Sequence, residues 1–246
     1  MPRRSLIILG LIWFGCLTLP VEAKESLLNQ RLAAYQQNQH AKAEKLLGQY
    51  LKKHPDAAEA SRYRALALSR LERDPEALAQ LDQALARHPQ DISLLLERGK
   101  LLAKMKQNPQ AIAAFSQVIT LDPKNAEAWK ERGAIQAQEG CFAEALKNLD
   151  QAAALNPKDV WVFNHRGMAK FCQGDYEGAI ADFTQAIQLG PDLPHAYFFR
   201  GNLYLYHLNQ KDKAIADYQQ GCRLGHPLCC SELEKLQVEP TTPQNQ

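Results

Sequence analysis

The chain has 246 residues, of which 46% are hydrophobic and 23% charged, a composition typical of a folded protein rather than a disordered one. Valine and threonine are scarce, with five of each, which excludes an all-β sandwich or barrel of this length. Basic residues number 29 and acidic residues 27, so the net charge of +2 gives no electrostatic reason to expect binding to nucleic acid or a membrane surface.

The first predicted element is a secretory signal peptide at residues 1–23. A positive start is followed by fifteen mostly apolar residues (5–19) and a proline, and 21–23 then place small side chains around a cleavage point before Lys24. An uncleaved anchor is one alternative, although the apolar run is shorter than the roughly 18 residues that a spanning helix needs. Lipid attachment at Cys16 is another. Cleavage predicts a periplasmic or secreted protein with no membrane span.

A period of 34 residues runs through the rest of the chain. Five sets of equivalent residues keep this spacing. The prolines are Pro55, Pro89, Pro123, Pro157 and Pro191, and the arginines are Arg64, Arg98, Arg132, Arg166 and Arg200. Small residues follow each arginine at Ala65, Gly99, Gly133, Gly167 and Gly201, and alanines recur at Ala43, Ala77, Ala111, Ala145 and Ala179. Large apolar residues recur at Leu47, Leu81, Phe115, Leu149 and Phe183.

Within each period, the apolar residues recur at helical spacing and predict two helices. In residues 126–159, Gly140 ends the first helix because glycine readily adopts the left-handed conformation, and Pro157 stops the second. The small residues Gly133 and Ala145 allow the two helices to approach closely. Because one such hairpin cannot bury its apolar face alone, neighbouring units must stack.

This pattern resembles the tetratricopeptide repeat (TPR). The fourth unit matches it with Trp129, Gly133, Gly140, Phe142, Ala145, Leu149, Ala152 and Pro157. The fifth matches with Phe163, Gly167, Gly174, Tyr176, Ala179, Phe183, Ala186 and Pro191. The resemblance implies an all-α, right-handed superhelical solenoid of about six helix-turn-helix repeats with a C-terminal capping helix.

The register predicts the boundaries of each unit. The six units are 24–57, 58–91, 92–125, 126–159, 160–193 and 194–227, followed by a cap at 228–236 and a disordered tail at 237–246. The first unit departs from the pattern with Arg31 at its small position. The sixth slips by one residue, since Ala214 comes 35 residues after Ala179.

The sequence contains no phosphate-binding loop, catalytic triad or HExxH motif, so we expect no catalysis and no cofactor. The five arginines at 34-residue spacing, which we call the arginine column, have two interpretations. A ladder of guanidinium groups is one way to bind an acidic ligand. The other is structural: each arginine packs its stem between helices and bonds a nearby carbonyl or acid, and the regularity of the column favours this interpretation.

The resemblance implies that ligands bind the concave face formed by the first helices. The early units present a charged set there, comprising Arg62, Arg70, Lys100, Lys104 and Lys130. The later units present an aromatic and polar set, comprising Trp161, Asn164, His165, Met168, Phe171, His195, Phe198, Asn202, Leu205 and Tyr206. Aromatic side chains exposed in one patch mark an interaction site, and the two asparagines could bond an extended peptide backbone. Packing between units is the alternative explanation.

Five cysteines follow the predicted cleavage point: Cys141, Cys172, Cys222, Cys229 and Cys230. An oxidising compartment allows disulfides. Cys141 and Cys172 lie at the turns of neighbouring units, which predicts a bond between them. Cys222, His226, Cys229 and Cys230 form a cluster that favours a disulfide over a metal site.

The sequence therefore predicts a non-enzymatic scaffold or assembly factor of the cell envelope that binds a protein or peptide in its groove. A metal-binding protein that uses the C-terminal cluster is the alternative.

Overall fold

The computed structural model describes residues 21–236, with side chains from residue 28 onward. Within this range the chain forms thirteen α-helices and one π-helical turn, and no strand. The helices are α1 (Val21–Gln36), α2 (His40–Lys53), α3 (Ala58–Arg70), α4 (Asp74–Leu85), α5 (Ile92–Lys104), α6 (Asn108–Leu121), α7 (Ala126–Gln138), α8 (Phe142–Leu155), α9 (Val160–Cys172), α10 (Tyr176–Leu189), α11 (Pro194–Asn202), α12 (Lys211–Arg223) and α13 (Pro227–Lys235). The signal peptide, apart from 21–23, and the tail at 237–246 lie outside the described residues.

Consecutive helices pair into six hairpins, and α13 packs against α12 at the end. The turn inside each hairpin contains one residue with positive φ, and these are Asn38, Glu72, Lys106, Gly140, Gly174 and Asn209. A left-handed residue at this point terminates the first helix by allowing backbone N–H groups to reach carbonyls of its last turn. Since these residues keep the 34-residue period up to Gly174, the same turn is built five times.

Close packing within the hairpins depends on the small residues of the first helices. A Cβ atom added at Gly133 would lie 2.9 Å from Leu149, and one added at Gly201 would lie 2.7 Å from Tyr218. Leu149 and Tyr218 are completely buried. The second helix therefore presses a large side chain directly onto the backbone of the first, as the sequence predicts.

The arginine column is structural. Arg166 bonds Asp182 in its own unit and Asp150 in the preceding unit, each 16 residues away. Arg132 repeats this arrangement with Asn148 and Ser116. The remaining members, Arg64, Arg98 and Arg200, likewise bond acids, amides or a hydroxyl of neighbouring second helices. Four of the five guanidinium groups thus join adjacent second helices, and Arg98 bonds that of the preceding unit, which confirms the structural interpretation.

The one-residue slip of the sixth unit is absorbed by the π-helical turn Leu203–His207. Its wider spacing is visible in the bond from the N–H of Leu208 to the carbonyl of Leu203, five residues earlier. A π-turn accommodates one extra residue in a helix without breaking it. Consequently the next left-handed residue is Asn209, 35 positions after Gly174.

The first helices of successive units also touch one another: α1 contacts α3, α3 contacts α5, α5 contacts α7 and α7 contacts α9. We call the face lined by these first helices the inner face. Contacts between α9 and α11 are sparser, at the unit that carries the π-turn. Within 21–236, no helix combines the length and apolar character needed to cross a membrane.

Candidate functional site

The lysines of the inner face are held in ion pairs. Lys100 Nζ lies 2.7 Å from Glu127 Oε1 in the next unit, and Lys130 Nζ lies 3.3 Å from Asp159 Oδ2. For Lys100, burial acts to lower the pKa, but the bond and charges of Glu127 and Glu97 outweigh it, so the pKa is raised. Lys100 therefore links successive units through its charge, and Lys130 pairs with the residue that caps α9.

Helix α9 places three of the predicted binding residues next to one another. Trp161 is 51% exposed, and its ring centroid lies 6.3 Å from that of His165. Asn164 is only 8% exposed, and its buried Oδ1 has no hydrogen-bond partner. The helix begins at the cap formed by Asp159, whose Oδ1 accepts a hydrogen bond from the N–H of Trp161. A rigid helix terminus thus presents an exposed indole beside an unused acceptor.

The electrostatic surroundings of His165 favour its neutral form. Burial lowers its pKa first, the charge of Lys130 lowers it further, and Asp159 opposes the change. A neutral imidazole beside a paired Lys130 means that this part of the inner face carries little net charge.

The predicted residues of α11 pack against the C-terminal cap. The ring of Phe198 stacks on that of His226 with centroids 4.9 Å apart, and His195 meets His226 edge-on at 4.7 Å. Phe198 also packs on the buried cluster that contains Tyr218. His226 is buried, and its pKa is lowered by burial and then by His195. The sequence alone places His226 only in the cysteine cluster, because its contacts with His195 and Phe198 depend on how α13 folds back.

Asn202 and Tyr206 are engaged in hydrogen bonds within the protein. The hydroxyl of Tyr218 donates to Asn202 Oδ1 at 2.7 Å, and the hydroxyl of Tyr206 donates to Glu232 Oε2 at 2.7 Å. Tyr206 remains 62% exposed, whereas the acceptor of Asn202 is occupied. Of the two predicted asparagines, Asn164 is the one whose acceptor is unused.

Met168 and Phe171 are half-buried and pack on the core cluster of the fifth and sixth units. Phe171 also belongs to an aromatic group with Tyr176 and His207, in which Tyr176 and His207 have centroids 3.9 Å apart. The sequence gives no signal for this group, because the π-turn that brings His207 there is a property of the folded helix.

The predicted Cys141–Cys172 disulfide is wrong: both are free and exposed in the structure. Cys141 precedes α8 and Cys172 ends α9, so they occupy different positions of the repeat. Stacking superimposes equivalent positions, and the equivalent of Cys172 in the fourth unit is Gln138. Neighbouring turns therefore do not bring the two sulfurs together.

Within the C-terminal cluster, Cys222 and Cys230 form a disulfide with Cα atoms 4.9 Å apart, which joins α12 to α13. Cys229 is a buried thiol that packs on Gly221. Over residues 21–236 no group of three or more histidine, cysteine, aspartate or glutamate side chains is arranged to hold a metal ion. The structure therefore offers no support for the metal-binding alternative.

Repeated hairpins in a constant register define the class of helical-repeat solenoids. Tetratricopeptide repeat family models match residues 28–92, 102–162 and 194–224, and a TPR repeat model matches residues 169–206. The chain belongs to the tetratricopeptide repeat family. Such folds are generally non-enzymatic and support protein interactions.

Solved structures resemble most of the solenoid at low sequence identity. PilF of Pseudomonas aeruginosa is 19% identical with a TM-score of 0.77, covering 87% of this chain and 98% of its own. MamA from Desulfovibrio magneticus RS-1 is 22% identical with a TM-score of 0.62, covering 69% and 95%. YrrB, a TPR protein with an unusual peptide-binding site, is 18% identical with a TM-score of 0.61, covering 77% and 97%. At these identities the likeness shows the fold alone. No curated protein matched the sequence.

Proposed function

We propose that the protein is a non-enzymatic scaffold of the cell envelope that binds an extended segment of a partner protein on its inner face at α9. The observation that carries this proposal is the pair formed by Trp161 and Asn164. A large indole is half exposed, and three residues later a buried amide oxygen lacks a hydrogen-bond partner.

Each member of the pair has a free-energy reason to bind a peptide. A buried acceptor without a partner costs free energy, which the backbone N–H of an extended segment would recover. The exposed ring of Trp161 would bury apolar area against a side chain of the same segment and exclude water from the new bond. Water or a small ion could satisfy only the first requirement.

The charges around α9 favour an uncharged segment. Lys130 is held by Asp159 and Glu131, and the pKa of His165 is lowered by burial first and by Lys130 second. Lys130 and His165 therefore offer little positive charge to an acidic segment, whereas an apolar or aromatic segment would find the indole.

The envelope location rests on the predicted signal peptide at 1–23. N-terminal sequencing of the exported protein tests it, and the expected first residue is Lys24. A lipid-modified start at Cys16, or an intact Met1, would contradict cleavage at this point.

Binding is tested with peptides selected from a random display library against the purified protein. Trp161→Ala should weaken a selected peptide by about thirtyfold, the cost of removing a central aromatic anchor. Asn164→Leu should weaken binding while it raises the melting temperature of the free protein, because it removes the unpaired buried oxygen.

Lys100→Ala is the control, since Lys100 lies two units away and its charge is already paired. The site assignment fails if the selected peptides bind Trp161→Ala and Asn164→Leu as tightly as the original protein, or if Lys100→Ala weakens binding as much as Trp161→Ala does.

A further inference from the structure

One member of the arginine column, Arg64, lacks the acceptor side chain that its equivalents find in the preceding unit. The missing acceptor lies at the boundary between the first and second units. Four arginines of the column bond a side chain 16 residues earlier in the chain, and these acceptors are Asp82, Ser116, Asp150 and Thr184. For Arg64 the equivalent residue is Gly48, which has no side chain.

Arg64 finds other partners in place of the missing acceptor. Its Nη2 lies 2.8 Å from Glu44 Oε1, and its Nη1 lies 2.6 Å from Gln80 Oε1. A Cβ atom added at Gly48 would lie 3.2 Å from Arg64 Nε. The guanidinium thus lies above the bare backbone of α2, where the other units have a polar side chain.

The missing side chain coincides with a cavity of about 490 Å³ between the second helices α2 and α4. Basic residues dominate its charge, since four of them line it against one carboxylate, that of Glu44. The basic lining residues are Lys45, Lys52, Arg64 and Arg87. The excess of positive charge makes the cavity attractive to anions.

The positive charge of the cavity is only partly neutralised within the protein. Glu44 Oε1 lies 2.8 Å from Arg64 Nη2, and Arg87 Nε lies 3.6 Å from Oδ1 of the exposed Asp56. Lys45 and Lys52 are exposed and form no ion pair with any residue between 28 and 236. Lys45 and Lys52 are therefore available, while Arg64 is held in place by Glu44 and Gln80.

Glycine at position 48 is locally unfavourable. It lies inside α2, where glycine lowers helix stability relative to alanine. A residue that conflicts with its local structure and opens a charged cavity is typical of a functional position.

We propose that this cavity on the second helices, away from the inner face, binds a small polyanion whose phosphate or carboxylate oxygens bond Lys45, Lys52 and the outer edge of Arg64. Planar guanidinium and mobile ammonium groups together suit an oxyanion with several acceptor oxygens. The site is independent of the peptide site proposed at α9.

Pyrophosphate and citrate, each titrated by calorimetry into the full chain, are the probes. Lys45→Ala and Lys52→Ala should each weaken the affinity by about tenfold, and raising the salt concentration should weaken it further. Gly48→Asp should abolish binding, because its carboxylate would occupy the cavity and neutralise Arg64 as Asp150 does for Arg166.

Lys147→Ala is the matched control, since Lys147 is the equivalent of Lys45 three repeats later, in a unit where Asp150 is present. Gly48→Asp should also raise the melting temperature, which separates loss of binding from loss of the fold. The proposal is overturned if neither anion binds, if Gly48→Asp binds as well as the original protein, or if Lys147→Ala weakens binding as much as Lys45→Ala.

Discussion

Arg200 and Asp217 form a bidentate ion pair between the two helices of the sixth unit. Arg200 Nε donates to Asp217 Oδ2 at 2.9 Å, and Nη2 donates to Oδ1 at 2.7 Å. The side chains are only 15% and 7% exposed. Burial raises the pKa of Asp217 even though the bonds and charge of Arg200 oppose that change. The carboxylate therefore depends on its arginine to remain ionised inside the protein.

Arg200→Ala should lower the free energy of unfolding by about 3 kcal/mol at neutral pH, since it leaves a buried carboxylate unpaired. Because the folded-state pKa of Asp217 already exceeds its ordinary 3.8, ionisation of Asp217 opposes folding as the pH rises through that range. The loss in the variant should therefore shrink on acidification. Urea unfolding at several pH values measures both effects.

Arg73→Ala provides the comparison, because Arg73 pairs with Glu76 on an exposed surface. It should change the urea midpoint little at any pH. Equal effects of the two substitutions on the urea midpoint would show that burial of the Arg200–Asp217 pair does not determine its contribution to stability.

His226 should make the C-terminal cap sensitive to mild acid. Its folded-state pKa is lowered from the ordinary 6.5 by burial and then by His195, so the neutral ring favours the fold. This contribution is complete above the unfolded-state pKa and is lost as the pH falls below 6.5 and through the folded-state pKa. His226→Phe should reduce the fall in melting temperature between neutral pH and mild acid. His88→Gln, which removes an exposed hydrogen bond to the backbone carbonyl of Asp56, is the comparison substitution of a histidine outside the cap.

Four of the six hairpin turns contain a non-glycine residue in the left-handed conformation. Lys106 has φ of 60° where the two following units have glycine. Lys106→Gly should stabilise the protein by about 1 kcal/mol, because it removes the contact between Cβ and the backbone that disfavours this conformation. The reciprocal substitution Gly140→Lys should destabilise it by a similar amount. Thermal and urea unfolding measure both changes, and a loss of stability in Lys106→Gly would contradict the argument.

The cysteines should differ sharply in reactivity. Cys141 and Cys172 are exposed and should be labelled quickly by a thiol reagent in the oxidised protein. Burial raises the pKa of the Cys229 thiol to about 12, so Cys229 should remain unlabelled until the protein unfolds. Peptide mapping by mass spectrometry measures each site. A peptide in which Cys141 is bonded to Cys172 would contradict the structure.

The Cys222–Cys230 disulfide should stabilise the cap. In the chain-entropy model, a disulfide that closes such a short loop raises the free energy of unfolding by about 2–3 kcal/mol. Reduction, or Cys222→Ser, should therefore lower the melting temperature and leave most of the helical circular dichroism intact, because α13 is one of thirteen helices. Cys141→Ser serves as the control and should have little effect.

The 34-residue period was sufficient to predict the repeated hairpins, since proline, glycine and helical apolar spacing act within a few residues of one another. The close contact between Gly133 and Leu149 is a local consequence of that pattern, and so is the left-handed conformation of Gly140. The structural role of the arginine column was also predictable, because an arginine repeated at one position of successive units indicates packing rather than ligand contacts, which differ between units.

Contacts outside the repeat could not be predicted in this way. The Cys141–Cys172 prediction failed because neighbouring turns were treated as equivalent when the residues differ in register. The occupied acceptor of Asn202 depends on the hydroxyl of Tyr218, 2.7 Å away, a group that the equivalent Leu149 and Phe183 lack.

Local spacing in the sequence is sufficient to specify the architecture, because each hairpin depends on short-range contacts and is repeated with little change. The tertiary structure establishes which inner-face side chains are free, since that depends on partners one or more units away. It paired Lys100 with Glu127 and Phe198 with His226, and left the oxygen of Asn164 without a partner. Periodicity specifies which residues meet in every unit, whereas a binding site arises where one unit departs from the others.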